Sequence, residues 1–127
     1  MKASTREWTL KAEEDFLAAT ALSRLRKKPL WNIVCFHVQQ AVEKYLKARL
    51  EEAGLSVPKT HDLLHLLNLV TPVEPLWTSF QPAFALLVSY AVHTRYPGNS
   101  VTKKDAQHAI KLCREFRKEG RRALGLH

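Results

Sequence analysis

The sequence has little glycine, few cysteines and no long uncharged hydrophobic run. Only 4 of its 127 residues are Gly and 6 are Pro, while 46% are hydrophobic and 25% are charged. This balance excludes collagen-like, low-complexity and disordered chains. The two cysteines, Cys35 and Cys113, fall on apolar helical faces without the close spacing of metal ligands. They are therefore predicted to be reduced core thiols rather than a disulfide framework.

The absence of a long apolar run also bears on location. A membrane-spanning helix needs about 18 or more apolar residues, and the longest such stretch, residues 82–92, contains Ser89 and is followed by His93 and Arg95. Residues 1–15 lack the apolar segment and small residues of a secretory signal. We therefore expect a cytoplasmic protein with no membrane partner.

Positive charge is what the chain has in excess. Its formal net charge of +8 favours association with nucleic acid, nucleotides or an acidic protein partner, and charge alone does not choose among them. A chain of this length hides roughly two thirds of the surface that its unfolded form exposes. We expect it to form a single domain over residues 1–127.

Apolar periodicity divides the chain into helices, and no stretch shows β alternation. Pro29, Gly54 and Pro97 separate the longer segments, and several prolines interrupt residues 71–81. The fold class is therefore all-α, an up-and-down bundle of four long helices plus one short helix. The predicted helices span about residues 5–28, 31–53, 61–70, 82–96 and 103–122. The expected capping residues are Ser4, Thr5, Thr60, and the capping-box pair Thr102 and Asp105.

Some polar residues stand where helical periodicity predicts a buried face. On the first helix, Asp15 lies in the middle of the stripe made by Trp8, Ala12, Ala19 and Leu22. An unpaired carboxylate there would cost several kcal/mol, so a basic or amide partner is expected from a neighbouring helix. The second helix carries one polar face, for which a solvated stripe with a single Glu–Lys pair is the simplest interpretation. That face consists of Gln40, Glu43, Lys44 and Lys47.

The last helix separates its charges more clearly. Its basic ridge is predicted to face solvent, although such a ridge also suits phosphate contact. The ridge consists of Lys104, Gln107, Lys111, Arg114, Lys118 and Arg122, with Ala106, Ala109, Cys113 and Phe116 on the opposite side.

Three short motifs occur in order along the chain: QQAVEKYLKARL at 39–50, THDL at 60–63 and HTRYPG at 93–98. Together with the first-helix pattern around Trp8 and Asp15, they resemble the HEPN domain family over about residues 8–118. The resemblance implies a bundle that commonly dimerises, in small prokaryotic proteins often encoded beside a minimal nucleotidyltransferase and resembling toxin–antitoxin pairs. Carried over by motif, its polar cluster is Gln40, Glu43, Lys44, His61, Asp62, Arg95 and Tyr96, with Asp15 as a partner.

Within this cluster we expect Lys44 to pair with Asp15 and Glu43 to engage Arg95. The convergence of Asp15, Lys44, His61 and Arg95 into one charged pocket is the main structural expectation. There, Lys44, Lys47 and Arg95 would supply positive charge to a phosphate, and Tyr96 would offer a stacking surface.

Catalysis is less favoured by the sequence. The ribonuclease branch that this chain resembles uses an Arg separated by four to six residues from a His, but the matching positions after Arg95 hold Ser100, Val101 and Thr102. Arg122 with His127 has the right spacing but lies at the C-terminal end of the chain. His93 could serve as the base only with the order of the two residues reversed, since it precedes Arg95. No catalytic residue is therefore expected.

His61 with Asp62 resembles a metal-binding dipeptide, and His61 with His65 has the i, i+4 spacing of metal ligands. Since no further ligand cluster lies nearby in sequence, we expect neither a metal nor another cofactor. Asp62 is instead expected to help cap the short helix, and His61 to contact the second helix.

The leading hypothesis is a non-catalytic HEPN-type module that binds a nucleotide or a minimal nucleotidyltransferase partner, and possible RNA contact follows from its charge. A metal-independent ribonuclease with a non-standard Arg/His pair is one alternative. The other is a purely structural homodimerisation domain, in which the charged pairs of the polar cluster fix helix register and no ligand is needed. A homodimer is expected from the family resemblance and from Trp31, Trp77 and Phe80, apolar groups that a second subunit would cover.

Overall fold

A computed structural model describes residues 1–127 and contains helices but no strand. This confirms the all-α bundle. The α-helices are α1 (Ala3–Ser23), α2 (Trp31–Glu52), α3 (Leu63–Val70), α4 (Gln81–His93) and α5 (Lys103–Ala123), and a 3₁₀ helix spans Pro75–Phe80. None of these helices has the length and apolarity required to cross a membrane.

The central element is α2, which packs against α1, α3, α4 and α5. Its inner face is made of β-branched, small and large apolar residues that are 0–1% exposed, such as Val38, Tyr45 and Leu46. Phe116 of α5 completes the core, with its ring centroid 4.9 Å from that of Phe84 and 5.0 Å from that of Trp77. Each such buried side chain contributes roughly 1.5–3 kcal/mol of transfer free energy.

Two helices end earlier than predicted, and one short helix was not predicted. The first helix ends at Ser23 rather than near Lys28, and Lys28 has a left-handed backbone with a φ of 51°. Beyond Leu22 the chain has four cations and no buried side chain, so no packing offsets the cost of extending the helix. The fourth helix ends at His93 rather than Tyr96. Pro97 disfavours helical backbone at Tyr96, the residue that precedes it. Despite the prolines, residues 75–80 form a 3₁₀ helix that begins at Pro75.

Two of the capping predictions are confirmed. Thr102 and Asp105 form the expected reciprocal capping box of α5. Asp62 caps α3 as expected, and its carboxylate accepts hydrogen bonds from the backbone N–H groups of Leu64 and His65. Thr60 was the wrong residue there, since its hydroxyl accepts from the N–H of Asp62 itself.

Neither Ser4 nor Thr5 caps α1, whose N-cap residue is Lys2. Their hydroxyls donate across to the end of α2, Ser4 to Glu51 and Thr5 to Glu52. The two side chains therefore join α1 to α2 rather than starting a helix.

Trp77 does not await a second subunit, which corrects the expectation for one of the three aromatic residues, whereas for Trp31 and Phe80 it stays a prediction. Trp77 is 1% exposed within its own chain, and its indole N–H donates to Glu119. Trp31 and Phe80 are half-buried and pack against the same core. Both cysteines are free and buried, as predicted. Burial raises the pKa of each thiol to about 12.

Candidate functional site

Asp15 is buried on α1 and receives two partners from α2. Its Oδ2 accepts a hydrogen bond from Lys44 Nζ at 2.5 Å, and its Oδ1 lies 2.8 Å from His37 Nδ1. The predicted Asp15–Lys44 pair is therefore correct, and His37 is a partner that sequence reasoning missed. Since His37 precedes Lys44 by seven residues, both side chains lie on the same face of α2.

Glu43 is only 2% exposed and does not engage Arg95, which corrects the second expected pair. Its Oε2 accepts from Lys47 Nζ at 3.1 Å, and its Oε1 lies 2.8 Å from His61 Nδ1. The Lys47 ammonium, in a residue that is 5% exposed, also lies 5.5 Å from the centre of the Trp8 ring. The polar face of α2 is thus not a solvated stripe, because its middle is a buried ion pair.

An open groove of about 410 Å³ lies beside this pair, between α2, the segment before α3 and the end of α4. We call it the Arg95 groove. It is lined by Phe36, Gln39, Gln40, His61, Ala91, Thr94 and Arg95. An adjoining hollow of the same volume shares Gln39, His61, Ala91 and Arg95, and adds Asp62, Leu64, Val88 and Val92.

Arg95 is exposed, and its guanidinium makes neither an ion pair nor a hydrogen bond within the chain. Across the groove, the His61 side chain is 75% exposed while Glu43 holds its Nδ1. A carboxylate at Nδ1 orients the imidazole and leaves Nε2 for other contacts. The wall residue Phe36 is 53% exposed, and Tyr96 beyond the helix end is 63% exposed.

The expected single pocket is divided into two neighbouring sites. His61, Arg95 and Gln40 share the Arg95 groove, whereas Asp15 and Lys44 pair with each other and do not line it. The other predicted residues have separate places: Lys47 is buried, Asp62 caps α3 beside the groove, and Tyr96 lies exposed outside it. Gln39 and Phe36 are groove residues that were missed, although Gln39 stands within the quoted motif.

A second polar network, partly buried and also missed, joins α1, α2 and α5. Glu13 accepts hydrogen bonds from Arg117 at 2.5 and 2.7 Å and from the Tyr45 hydroxyl at 2.6 Å, and Arg121 lies 3.4 Å away. Burial opposes ionisation of Glu13, but its bonds to Arg117 and Tyr45 outweigh that cost and lower its pKa. Burial, with the bond to Glu13, raises the pKa of Tyr45 to about 12.

No three His, Cys, Asp or Glu side chains lie close enough together to hold a metal ion. At the C-terminal end, Arg122 donates to Glu119, and Arg121 donates to the main-chain carbonyl of His127. In the spacing match between Arg122 and His127, the guanidinium is therefore already paired with Glu119. The basic ridge of α5 is solvent-exposed as predicted, while Ala106, Ala109, Cys113 and Phe116 are buried.

The fold and the groove define a small helical-bundle module with an exposed cation beside an oriented histidine. A family model for the HEPN domain matches residues 5–123, nearly the whole chain. The chain therefore belongs to the HEPN domain family. No curated protein and no solved structure matches it significantly.

Proposed function

We propose that this chain is a non-catalytic HEPN module that binds a nucleotide in the Arg95 groove. The observation that carries the proposal is the unpaired guanidinium of Arg95, facing a groove that also contains an exposed histidine and an exposed aromatic ring. A cation without an internal carboxylate is available to an external anion. Hydrogen bonds between a guanidinium and a phosphate are charge-assisted and roughly twice as strong as neutral ones.

The groove residues divide the recognition of a nucleotide between them. Arg95 contacts a phosphate through bidentate hydrogen bonds, and Nε2 of His61 adds a second polar contact. Gln40, which makes no side-chain hydrogen bond within the chain, offers both a donor and an acceptor to a base or sugar. Phe36 provides a face on which a base stacks.

The assignment of phosphate contacts differs from the one that sequence suggested. Lys44 and Lys47 are already neutralised by Asp15 and Glu43, at 2.5 and 3.1 Å. Recruiting either lysine to a ligand would take from a buried carboxylate the cation that neutralises it, at a cost of several kcal/mol. Arg95 is thus the principal phosphate contact, and the two lysines hold the groove in shape.

Calorimetric titration with ATP and GTP tests the proposal. Arg95→Ala is expected to weaken binding about tenfold or more, since a charge-assisted hydrogen bond contributes about 1.5–3 kcal/mol. Arg6→Ala is the matched control, because Arg6 is an exposed arginine on α1 that makes no ion pair. No heat with the parent protein, or equal weakening by both variants, would contradict nucleotide binding in the groove.

A metal-independent ribonuclease is the second candidate, and the Glu43–His61 contact of 2.8 Å favours it over other enzyme classes. In that reaction His61 Nε2 takes the proton of a 2′-hydroxyl, and the O2′–P bond forms as the P–O5′ bond breaks. Arg95 stabilises the phosphorane charge, and water protonates the leaving 5′-oxygen.

Incubation with structured RNA in EDTA separates the two functions. The ribonuclease hypothesis requires cleavage to 2′,3′-cyclic phosphate ends that His61→Gln abolishes. Uncleaved RNA at high protein excess would leave only the binding role.

We further propose that the module forms a homodimer and contacts a minimal nucleotidyltransferase, as one half of a toxin–antitoxin-like pair. Exposed Phe36 and Tyr96 and the 46% exposed Val92 lie at or beside the groove, and they suit a protein contact. Light scattering is expected to give twice the monomer mass of 14.5 kDa. A Phe36→Ser, Val92→Ser variant that still dimerises would place the contact elsewhere. In that case a structural homodimerisation domain, the third hypothesis, would have to use another face.

A further inference from the structure

The turn between α1 and α2 concentrates positive charge at one end of the bundle. Residues 24–28 contain four cations and no acid, and α5 begins with Lys103 and Lys104. With Asp105 as the one acid in these two segments, they carry a surplus of five positive charges, against +8 for the whole chain. None of the six cations forms an ion pair, so the charge is not neutralised internally.

The two segments enclose a hollow of about 500 Å³, which we call the basic groove. Arg24, Arg26 and Lys103 line it with exposed side chains, and the half-buried Trp31 forms part of its wall. A hydrogen bond fixes the two sides of the groove relative to each other, since Asn32 Oδ1 accepts a hydrogen bond of 3.0 Å from the N–H of Val101. That bond ties the chain just before α5 to the start of α2.

We infer that the basic groove binds the phosphate backbone of a single-stranded nucleic acid, with Trp31 as a stacking surface for one base. Several unpaired cations around a concave track, together with an aromatic face, are the features by which proteins hold single strands without sequence preference. A flexible single strand of nucleic acid can enter a concave groove, whereas a rigid double helix or a flat anionic surface contacts only the rim of the groove.

An anionic bilayer is the alternative polyanion, since Leu25 and Leu30 in the same turn are each 43% exposed. The cations Arg24, Arg26 and Lys103, however, line a hollow, where a planar headgroup layer reaches them poorly. The shape of the site therefore favours a strand. This inference does not rest on nucleotide binding by Arg95, which lines a different groove.

Fluorescence anisotropy with a fluorescein-labelled 12-nucleotide single strand tests the inference. The test variant is Arg24→Gln, Arg26→Gln, Lys103→Gln. The control removes the same charge elsewhere, by Arg6→Gln, Lys11→Gln, Lys59→Gln, at three exposed cations that make no ion pair and lie outside the basic ridge of α5.

We expect the test variant to lose about tenfold or more in affinity at low salt, and the control to lose far less. Each lost phosphate contact lowers the slope of log K against log salt by about 0.7, so the test variant should lose about 2 from its slope. Equal losses in the two variants would show that only net charge matters and would overturn the site. Unchanged folding of both variants is checked by circular dichroism.

Trp31 supplies a second, local measurement. An unlabelled strand is expected to quench the tryptophan fluorescence of the parent, and Trp31→Phe should remove that quenching while keeping most of the affinity, since phenylalanine still stacks. Quenching that survives Trp31→Phe would place the strand elsewhere. Co-sedimentation with phosphatidylserine vesicles but no anisotropy change at the same salt would assign the surface to a bilayer and refute the inference.

Discussion

Replacing Glu43 with glutamine should destabilise the fold by an amount set by the partner that it leaves behind. Lys47 is 5% exposed and its ammonium lies 3.1 Å from the Glu43 carboxylate. Glutamine keeps the size of the side chain and a polar contact toward His61, so the variant removes charge rather than volume. What remains is a buried ammonium whose only other close partner is the Trp8 ring, 5.5 Å away.

The magnitude follows from these contacts. Breaking a buried ion pair by removing one partner costs about 3–5 kcal/mol, and the cation–π contact with Trp8 recovers about 1–2 kcal/mol of that. We therefore expect Glu43→Gln to lower the free energy of unfolding by about 1–4 kcal/mol, a sizeable part of a total of order 10 kcal/mol. With a urea m-value of about 2 kcal/mol per M, the unfolding midpoint falls by roughly 0.5–2 M.

The assay is urea unfolding followed by circular dichroism, for the parent, Glu43→Gln, Lys47→Met, and the double variant. Removing both charges should return the stability to within about 1 kcal/mol of the parent, because no buried charge is then unpaired. The double-mutant cycle should show a coupling of about 2 kcal/mol. A loss below about 0.5 kcal/mol for Glu43→Gln, or a double variant no more stable than that single variant, would refute the reasoning.

Three further predictions concern the rest of the bundle. Because the pKa of Glu13 is lowered from 4.5 on folding, the stability it provides is present above that pH and lost as the pH falls through its folded pKa. The difference in unfolding free energy between the parent and Glu13→Gln should therefore be largest near neutral pH and should decrease in urea unfolding at acid pH. A difference that does not change with pH would contradict this. With pKa values of about 12, the buried Cys35 and Cys113 should not react with a thiol reagent at pH 8 until urea unfolds the chain, and rapid labelling of the native protein would disprove it. A Cβ added at Gly120 would lie 3.4 Å from the Tyr45 ring, an ordinary contact, so Gly120→Ala should stabilise α5 by about 0.5–1 kcal/mol in thermal unfolding, and a lowered midpoint would show that the contact is too tight.

Some of the site was predictable from single-helix patterns. Asp15 stood in an apolar stripe, and desolvation alone required a partner, which proved to be Lys44. The other predicted pair, Glu43 with Arg95, was wrong because periodicity places a residue on a face of its own helix but does not give the orientation of one helix relative to another. Glu43 instead contacts His61, which lies in the segment that precedes α3.

The sequence by itself determined the fold class, the reduced cysteines and the buried position of Asp15, since each depends on local periodicity or composition, and its three ordered motifs indicated the family. Only the tertiary structure decided that Glu43 and Lys47 neutralise each other, that Arg95 stays free, and that the turn cations line a groove with Lys103. Those outcomes depend on the angles and offsets at which separate helices pack, and these are set by the whole core at once.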